Sequence, residues 1–216
     1  MKYVAARMLS AAMLLCILTG CTTADNAVSE SEVSGPLPEV MEFRSLDRLL
    51  SAYESGGLAH IGIDSSTKLY LPAVVPDGFE LYSVAASDGS VLLMYLPQEY
   101  TDSLESVLDA QRDNKHFALW YALPNTEMPN TTAGLLEQFD ASENDLVAGK
   151  YLFNIPTSFL WADEGTMFSV SLPITMITPF ATALRDENFD GMEILNYDGF
   201  GDLLVFLGVE AICVET

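Results

Sequence analysis

Positive charge is scarce in this chain. Nine lysine and arginine residues face 31 aspartates and glutamates, for a formal charge of −22. Such a surface repels phosphate backbones, and nucleic-acid binding would need a basic patch that the sequence does not supply. It also repels anionic lipid head groups, so the folded part has no electrostatic attraction to a membrane. Cysteine is as rare: Cys16, Cys21 and Cys213 are too few for a disulfide-dense scaffold. The two histidines, His60 and His116, have no metal-ligand spacing and no partner in a familiar arrangement. Gly-x-Ser-x-Gly, His-Glu-x-x-His and phosphate-binding glycine loops are missing, so the commonest signatures of hydrolases, zinc proteases and nucleotide binders find no support. Long apolar runs are also wanting. Residues 166–184 carry no charge and approach the length of a membrane span, but Pro173 and Pro179 interrupt them and Ser169, Ser171, Thr175, Thr178 and Thr182 are spread through them. That pattern argues against a second membrane segment.

What is present is enough for a packed core. Half the residues are hydrophobic and 19% are charged, a globular rather than disordered composition. The N-terminus is organised differently. Lys2 and Arg7 precede an apolar core from Met8 to Leu18, too short to span a bilayer stably. Leu18-Thr19-Gly20-Cys21 follows and resembles a lipobox, the cleavage and lipidation signal of bacterial lipoproteins. Small residues before the cysteine let the extended backbone enter a peptidase site, and a thiol nucleophile takes up the diacylglycerol. The resemblance implies that residues 1–20 are a signal peptide. It implies that Cys21 becomes the first mature residue, carries thioether-linked lipid with palmitate-type chains, and holds the protein on the extracytoplasmic face of the cell membrane.

Without residues 1–20 the chain keeps 196 residues, and losing Lys2 and Arg7 takes its formal charge from −22 to −24. With Cys16 removed and Cys21 lipidated, Cys213 is left without an intrachain partner, so packing alone must hold the core. Residues 21–40 read as a flexible tether. They are rich in Ser, Thr, Asp, Asn and Glu, and Gly35, Pro36 and Pro38 oppose regular structure. Such a tether lifts a domain roughly 20–30 Å off the membrane.

The remaining 41–216 reads as one domain. Leu46, Leu49, Leu50 and Tyr53 share a helical face that Ser45 caps and Gly56-Gly57 ends. Prolines place residues 68–81 in extended edge or turn geometry. Strands over 79–86 and 90–96 meet at Asp88-Gly89, a strong hairpin signal. A helix is predicted over 101–114, with Thr101 as cap and Leu104, Val107, Leu108 and Gln111 on one face. Glu105, Asp109 and Asp113 line another face, read as solvated. A strand over 116–123, a loop over 124–132, a helical turn or two around Leu135 to Phe139 and a strand over 150–155 follow. A second hairpin turns through three residues at Asp163-Glu164-Gly165. Thr178-Pro179 starts a further helix to about Arg185, and the last strands span 192–197 and 203–209.

Among the candidate sites, Asp186-Glu187-Asn188-Phe189-Asp190-Gly191 matches the first half of an EF-hand-type calcium loop. Asp186, Asn188 and Asp190 would be ligands, with Asp198 as a late fourth. The match fails at the twelfth position, where Tyr197 stands in place of the bidentate Glu. Ser65-Ser66-Thr67-Lys68 has the Ser-x-x-Lys spacing of penicillin-binding enzymes, without that family's other elements. Trp120 and Trp161 read as packing residues, or as a sugar platform if both face one groove. No other cofactor and no catalytic set is expected.

Tyr70-Leu71-Pro72, Val75-Pro76-Asp77-Gly78-Phe79-Glu80-Leu81, Gly149-Lys150-Tyr151 and the run Leu160 to Phe168 are similar to a pattern in uncharacterised extracytoplasmic domains of Gram-positive bacteria. Some of these domains sit on lipoproteins, others beside anti-sigma-factor-like membrane proteins. The resemblance covers scattered pieces of residues 43–172 and implies no reaction and no cofactor. The expected fold is α+β, a curved antiparallel sheet with several short helices in a single domain. The expected function is that of a lipid-anchored, non-enzymatic binding or accessory module with an unidentified protein or small-molecule partner. The alternatives are a surface hydrolase with a carboxylate site and a calcium-dependent adhesion module.

Overall fold

The computed structural model describes residues 40–124, 126–154, 157–177 and 207–212. Among the described residues ten strands, β1 to β10 in chain order, build two sheets. Eight form one open antiparallel sheet in the order β1-β3-β4-β5-β9-β8-β7-β6. These are β1 (Val40–Phe43), β3 (Phe79–Ser87), β4 (Ser90–Pro97), β5 (Phe117–Ala122), β6 (Leu146–Val147), β7 (Tyr151–Asn154), β8 (Ser158–Asp163) and β9 (Thr166–Ser171). The other two, β2 (Leu69–Pro72) and β10 (Val209–Ile212), pair antiparallel as a small second sheet. The α+β class expected from the sequence is what the chain adopts.

The inner strands explain themselves by composition. Phe117-Ala118-Leu119-Trp120-Tyr121-Ala122 has no polar alternation, which only a strand covered on both faces can afford. Both faces are covered. On one, Val84, Leu93, Leu119, Trp161, Phe168 and Val170 pack beneath α1 (Leu46–Glu54), the 58–63 loop and the small sheet. On the other, α2 (Leu104–Arg112) sets Val107 and Ala110 on Met94 and Leu96. Beside it, α3 (Thr132–Phe139) sets Leu135 among Ala122, Leu152, Leu160 and Met167. The result is three layers with the sheet in the middle. Aromatic rings knit the first face: Trp161 stacks on Phe168 at 5.1 Å, and Tyr70 meets Tyr121 and Phe168 edge-on. The sheet ends in short strands, four residues at β1 and two at β6, which limits pairing with other chains.

Turns set the register. Asp88 and Gly89 both take positive φ, 44° and 69°, joining β3 to β4 in two residues as the sequence predicts. The second hairpin differs from expectation. Asp163 pairs with Thr166, so the turn is the two residues Glu164 and Gly165, with φ of 46° and 80°. A glutamate is an unusual first residue for such a turn, which hid it from the sequence.

Other expectations need correction. Thr101 does not cap α2; the extended Ser103 does, its Oγ accepting from the Ser106 amide at 3.1 Å. Leu104 then falls in the first turn with its side chain in solvent, 63% exposed, and Ala110 takes its place against the sheet. Trp161 and Trp120 lie on opposite faces of the sheet, so they cannot form one sugar platform. Of the strand expected over 203–209, residues 203–206 lie outside the described residues, Leu207 is in a turn and Val209 pairs with Pro72. Residues 166–171, part of the uncharged run, form β9 at the heart of the sheet, and no described helix is long and apolar enough to cross a membrane.

His116, at the start of β5, is the histidine that packing commits to neutrality. Its Nδ1 is shielded from solvent and has no hydrogen-bond partner. Desolvation pushes its pKa below the ordinary histidine value, outweighing a hydrogen bond to the Ala110 backbone that works the other way. The unfolded chain therefore binds a proton here more readily than the folded one. Stability is then fully present above about pH 6.5 and falls as the pH drops through the depressed folded value. Thermal melts between about pH 7 and about pH 5 should show this decline, and His116→Phe should flatten it. The carboxylates whose pKa values are lowered, Asp64 and Asp145, titrate below this window.

Candidate functional site

One end of the large sheet gathers four chain features. They are the Asp88-Gly89 turn, the end of β5 at Leu123-Pro124, the Glu164-Gly165 turn, and the 62–68 loop that leads into β2. Backbone bonds hold them together. The Gly89 amide donates to the Ile61 carbonyl at 2.6 Å, and the Leu123 amide donates to the Gly89 carbonyl at 2.9 Å. Between the 62–68 loop and the two later segments lies a cleft of about 380 Å³, at the low end of small-molecule sites.

The 62–68 loop is built by an Asp-Ser-Ser-Thr run. Asp64 Oδ1 accepts from the Ser66 amide at 2.9 Å, Ser66 Oγ at 2.6 Å and Thr67 Oγ1 at 3.3 Å. The arrangement is an Asx turn reinforced by hydroxyls. The Ser66 bonds lead in holding the Asp64 carboxyl below its ordinary pKa, which stabilises the anion. From beneath, the buried Tyr53 of α1 donates its hydroxyl to the Thr67 carbonyl at 2.7 Å, with the Ser65 carbonyl 3.0 Å away. The loop is thus pinned to the core at its middle, while Asp64, Ser66, Thr67 and Lys68 line the cleft.

Across the cleft, Lys68 Nζ lies 2.9 Å from Glu164 Oε2. The partners are 96 residues apart in sequence and more than half exposed, 58% and 69%. The pair joins the 62–68 loop to the β8–β9 turn, and its net worth is at most about 1 kcal/mol in solvent. Gly165 is favoured there by its φ of 80°, and an added Cβ would only touch the Pro124 side chain at 3.5 Å. Tyr70 connects the cleft to the aromatic core, its amide donating to the Tyr121 hydroxyl at 3.2 Å.

Several sequence candidates can now be placed. The Ser65-Ser66-Thr67-Lys68 spacing lies on a turn rather than a helix, and Lys68 pairs with Glu164. That geometry removes the basis for reading a penicillin-binding nucleophile there. The acidic stripe of α2 is a solvated face, with Asp109 paired to Arg112 at 2.8 Å. His60 is exposed in the 59–61 turn. Cys21, Cys213 and the proposed calcium ligands Asp186, Asn188, Asp190 and Asp198 lie outside the described residues, as do the helix expected from Thr178 and the strand over 192–197. Among the described residues no group of three or more His, Cys, Asp or Glu side chains could hold a metal ion.

Sequence reasoning did not find the cleft. The one local signal was Asp64 followed by three hydroxyl residues, a mark of an Asx turn. Fold and cleft define a single-domain α+β protein with a polar cleft at one end of an open sheet. In comparisons with known proteins, no family model, no curated protein and no solved structure matches the chain.

Proposed function

We propose that this protein is a lipid-anchored extracytoplasmic lipoprotein whose folded domain is a non-enzymatic binding module. The observation that carries the binding reading is the state of the cleft's carboxylates. Asp64 is held as an anion by three hydrogen bonds, and Glu164 is exposed and paired with Lys68. A hydrolase working by general acid catalysis needs the reverse, a carboxyl whose proton is retained by burial or a like charge. An oriented Asp64 carboxylate, an exposed Lys68–Glu164 ion pair and an apolar wall at Leu123-Pro124 suit recognition instead. The anchoring reading is supported by the order of the chain. The basic start, the short apolar core and the lipobox-like Leu18 to Cys21 are followed by a polar stretch, and the first described strand opens at Val40.

Growing the native cells with labelled palmitate tests the anchor. The label should travel with the denatured protein, and the intact protein should partition into detergent. Unlabelled, water-soluble protein that still begins at Met1 and sits in the cytosol would overturn the anchoring reading.

A further inference from the structure

We infer that the corner where α2 meets β5 is an acid-sensitive latch: proton uptake at His116 favours a state in which α2 leaves the sheet and uncovers Met94 and Leu96. This is independent of the cleft and of any anchor. His116 lies between the cap of α2 and the start of β5. Its ring donates one hydrogen bond to the Ala110 carbonyl of α2. Its Nδ1 is shielded from solvent and has no hydrogen-bond partner among the described residues. The ring is therefore satisfied only as the neutral tautomer. A second proton would put an N–H donor on Nδ1 with nothing to accept it, at the desolvation cost of a charged donor. Once α2 lifts, water reaches Nδ1 and the proton is taken up near the ordinary histidine pKa of about 6.5. Acid thus stabilises the lifted state against the closed one.

Little holds α2 down. Val107 and Ala110 pack on Met94 and Leu96, with Tyr82 and Tyr100 at the edge, whereas the larger core lies on the other face of the sheet. A helix of nine residues does not persist in water without such packing. Lifting it costs less than unfolding the sheet, whose ladders stay paired. The Lys115 amide donates to the Ala110 carbonyl at 2.7 Å, so the backbone cap and the His116 ring share one acceptor. The Asn114 carbonyl accepts from the Ile174 amide at 2.7 Å, which ties the segment after β9 to the same corner. The charges around the ring are engaged elsewhere. Asp109 and Asp113 pair with Arg112, and Lys115 lies between Asp113 at 3.6 Å and the Tyr100 hydroxyl at 2.6 Å. Glu105 sits in the first turn of α2, and Glu99 and Glu80 are exposed. β4, β5, β9 and residues 172–177 carry no charged residue. Burial, and none of these charges, leads in lowering the His116 pKa.

Hydrogen exchange read by mass spectrometry tests the latch on the full chain, at about pH 7.5 and about pH 5.5, with labelling times corrected for the intrinsic rate. Protection over residues 104–112 should fall about tenfold at the lower pH, the factor set by one pH step below an ordinary histidine pKa. Protection in β5 and β9 should hold. His116→Phe should abolish the fall, with His116→Gln giving the same readout should the phenylalanine variant not fold. His60→Gln, at the other histidine of the chain, should leave the fall in place. An equal fall in β5 and β9 would make the transition global and overturn the latch. So would unchanged protection in α2, or a fall that survives removal of His116.

Discussion

Replacing Cys21 by serine is expected to empty the membrane fraction of this protein and send it into the soluble fraction at full length. Lipid transfer needs a sulfur nucleophile, and a serine hydroxyl is far weaker near neutral pH. Without the thioether the lipoprotein cut is not made, so the same variant should keep residues 1–20. Among the described residues no helix is long and apolar enough to cross a membrane. With residues 1–20 removed as proposed, Lys2 and Arg7 go and the formal charge becomes −24, which anionic head groups repel. On the proposed reading anchoring falls to the acyl chains, each buried methylene contributing about 0.8 kcal/mol, and two chains hold where one is marginal. Fractionation of cells expressing wild type and Cys21→Ser reads the result directly. A variant that remained with the membrane after a salt wash would show that another segment binds there.

Trp161→Ala should produce the largest loss of stability among single truncations of the described core. Trp161 is 1% exposed, stacks on Phe168 at 5.1 Å with an interplanar angle of 15°, and meets Tyr151 edge-on at 5.2 Å. Removing the indole deletes its transfer energy and leaves a cavity in a sheet fixed by cross-strand pairing, for a cost of about 3–5 kcal/mol. For a domain of this size that corresponds to a fall in Tm of roughly 10 °C. Trp120→Ala is the internal control. Trp120 is half-buried on the opposite face, under α3, and its removal should cost clearly less. Urea unfolding of the two variants gives the ordering, and a Trp161→Ala loss below about 1 kcal/mol would contradict the packing described here.

Some of this architecture can be read along the chain because its causes are local. Asp88-Gly89 makes a hairpin wherever it is flanked by strand formers, since the turn needs positive φ at both positions and these residues accept it. Ser45 caps α1 through its own hydroxyl, which accepts from the Arg48 amide. The tryptophans were legible as strand residues, but not their faces. A strand that is apolar throughout gives no alternation to read, so only the helices packed on each side show that Trp161 points one way and Trp120 the other. The cap of α2 was missed because Thr101 and Ser103 are both good cap residues, and backbone geometry chose between them.

The sequence by itself determined that the domain is acidic and without a disulfide framework and that its class is α+β, and Leu18-Thr19-Gly20-Cys21 is all that the anchoring proposal rests on. Each of these follows from composition or from residues a few positions apart, where chain connectivity fixes the geometry. Only the tertiary structure decided that Asp64, Lys68 and Glu164 share a cleft. Lys68 and Glu164 are 96 positions apart. They meet because β2 packs its Tyr70 on Tyr121 and Phe168, and because antiparallel pairing brings the turn after β8 to the same end of the sheet. Contacts of that range are set by burial summed over the whole core, and no local pattern encodes them.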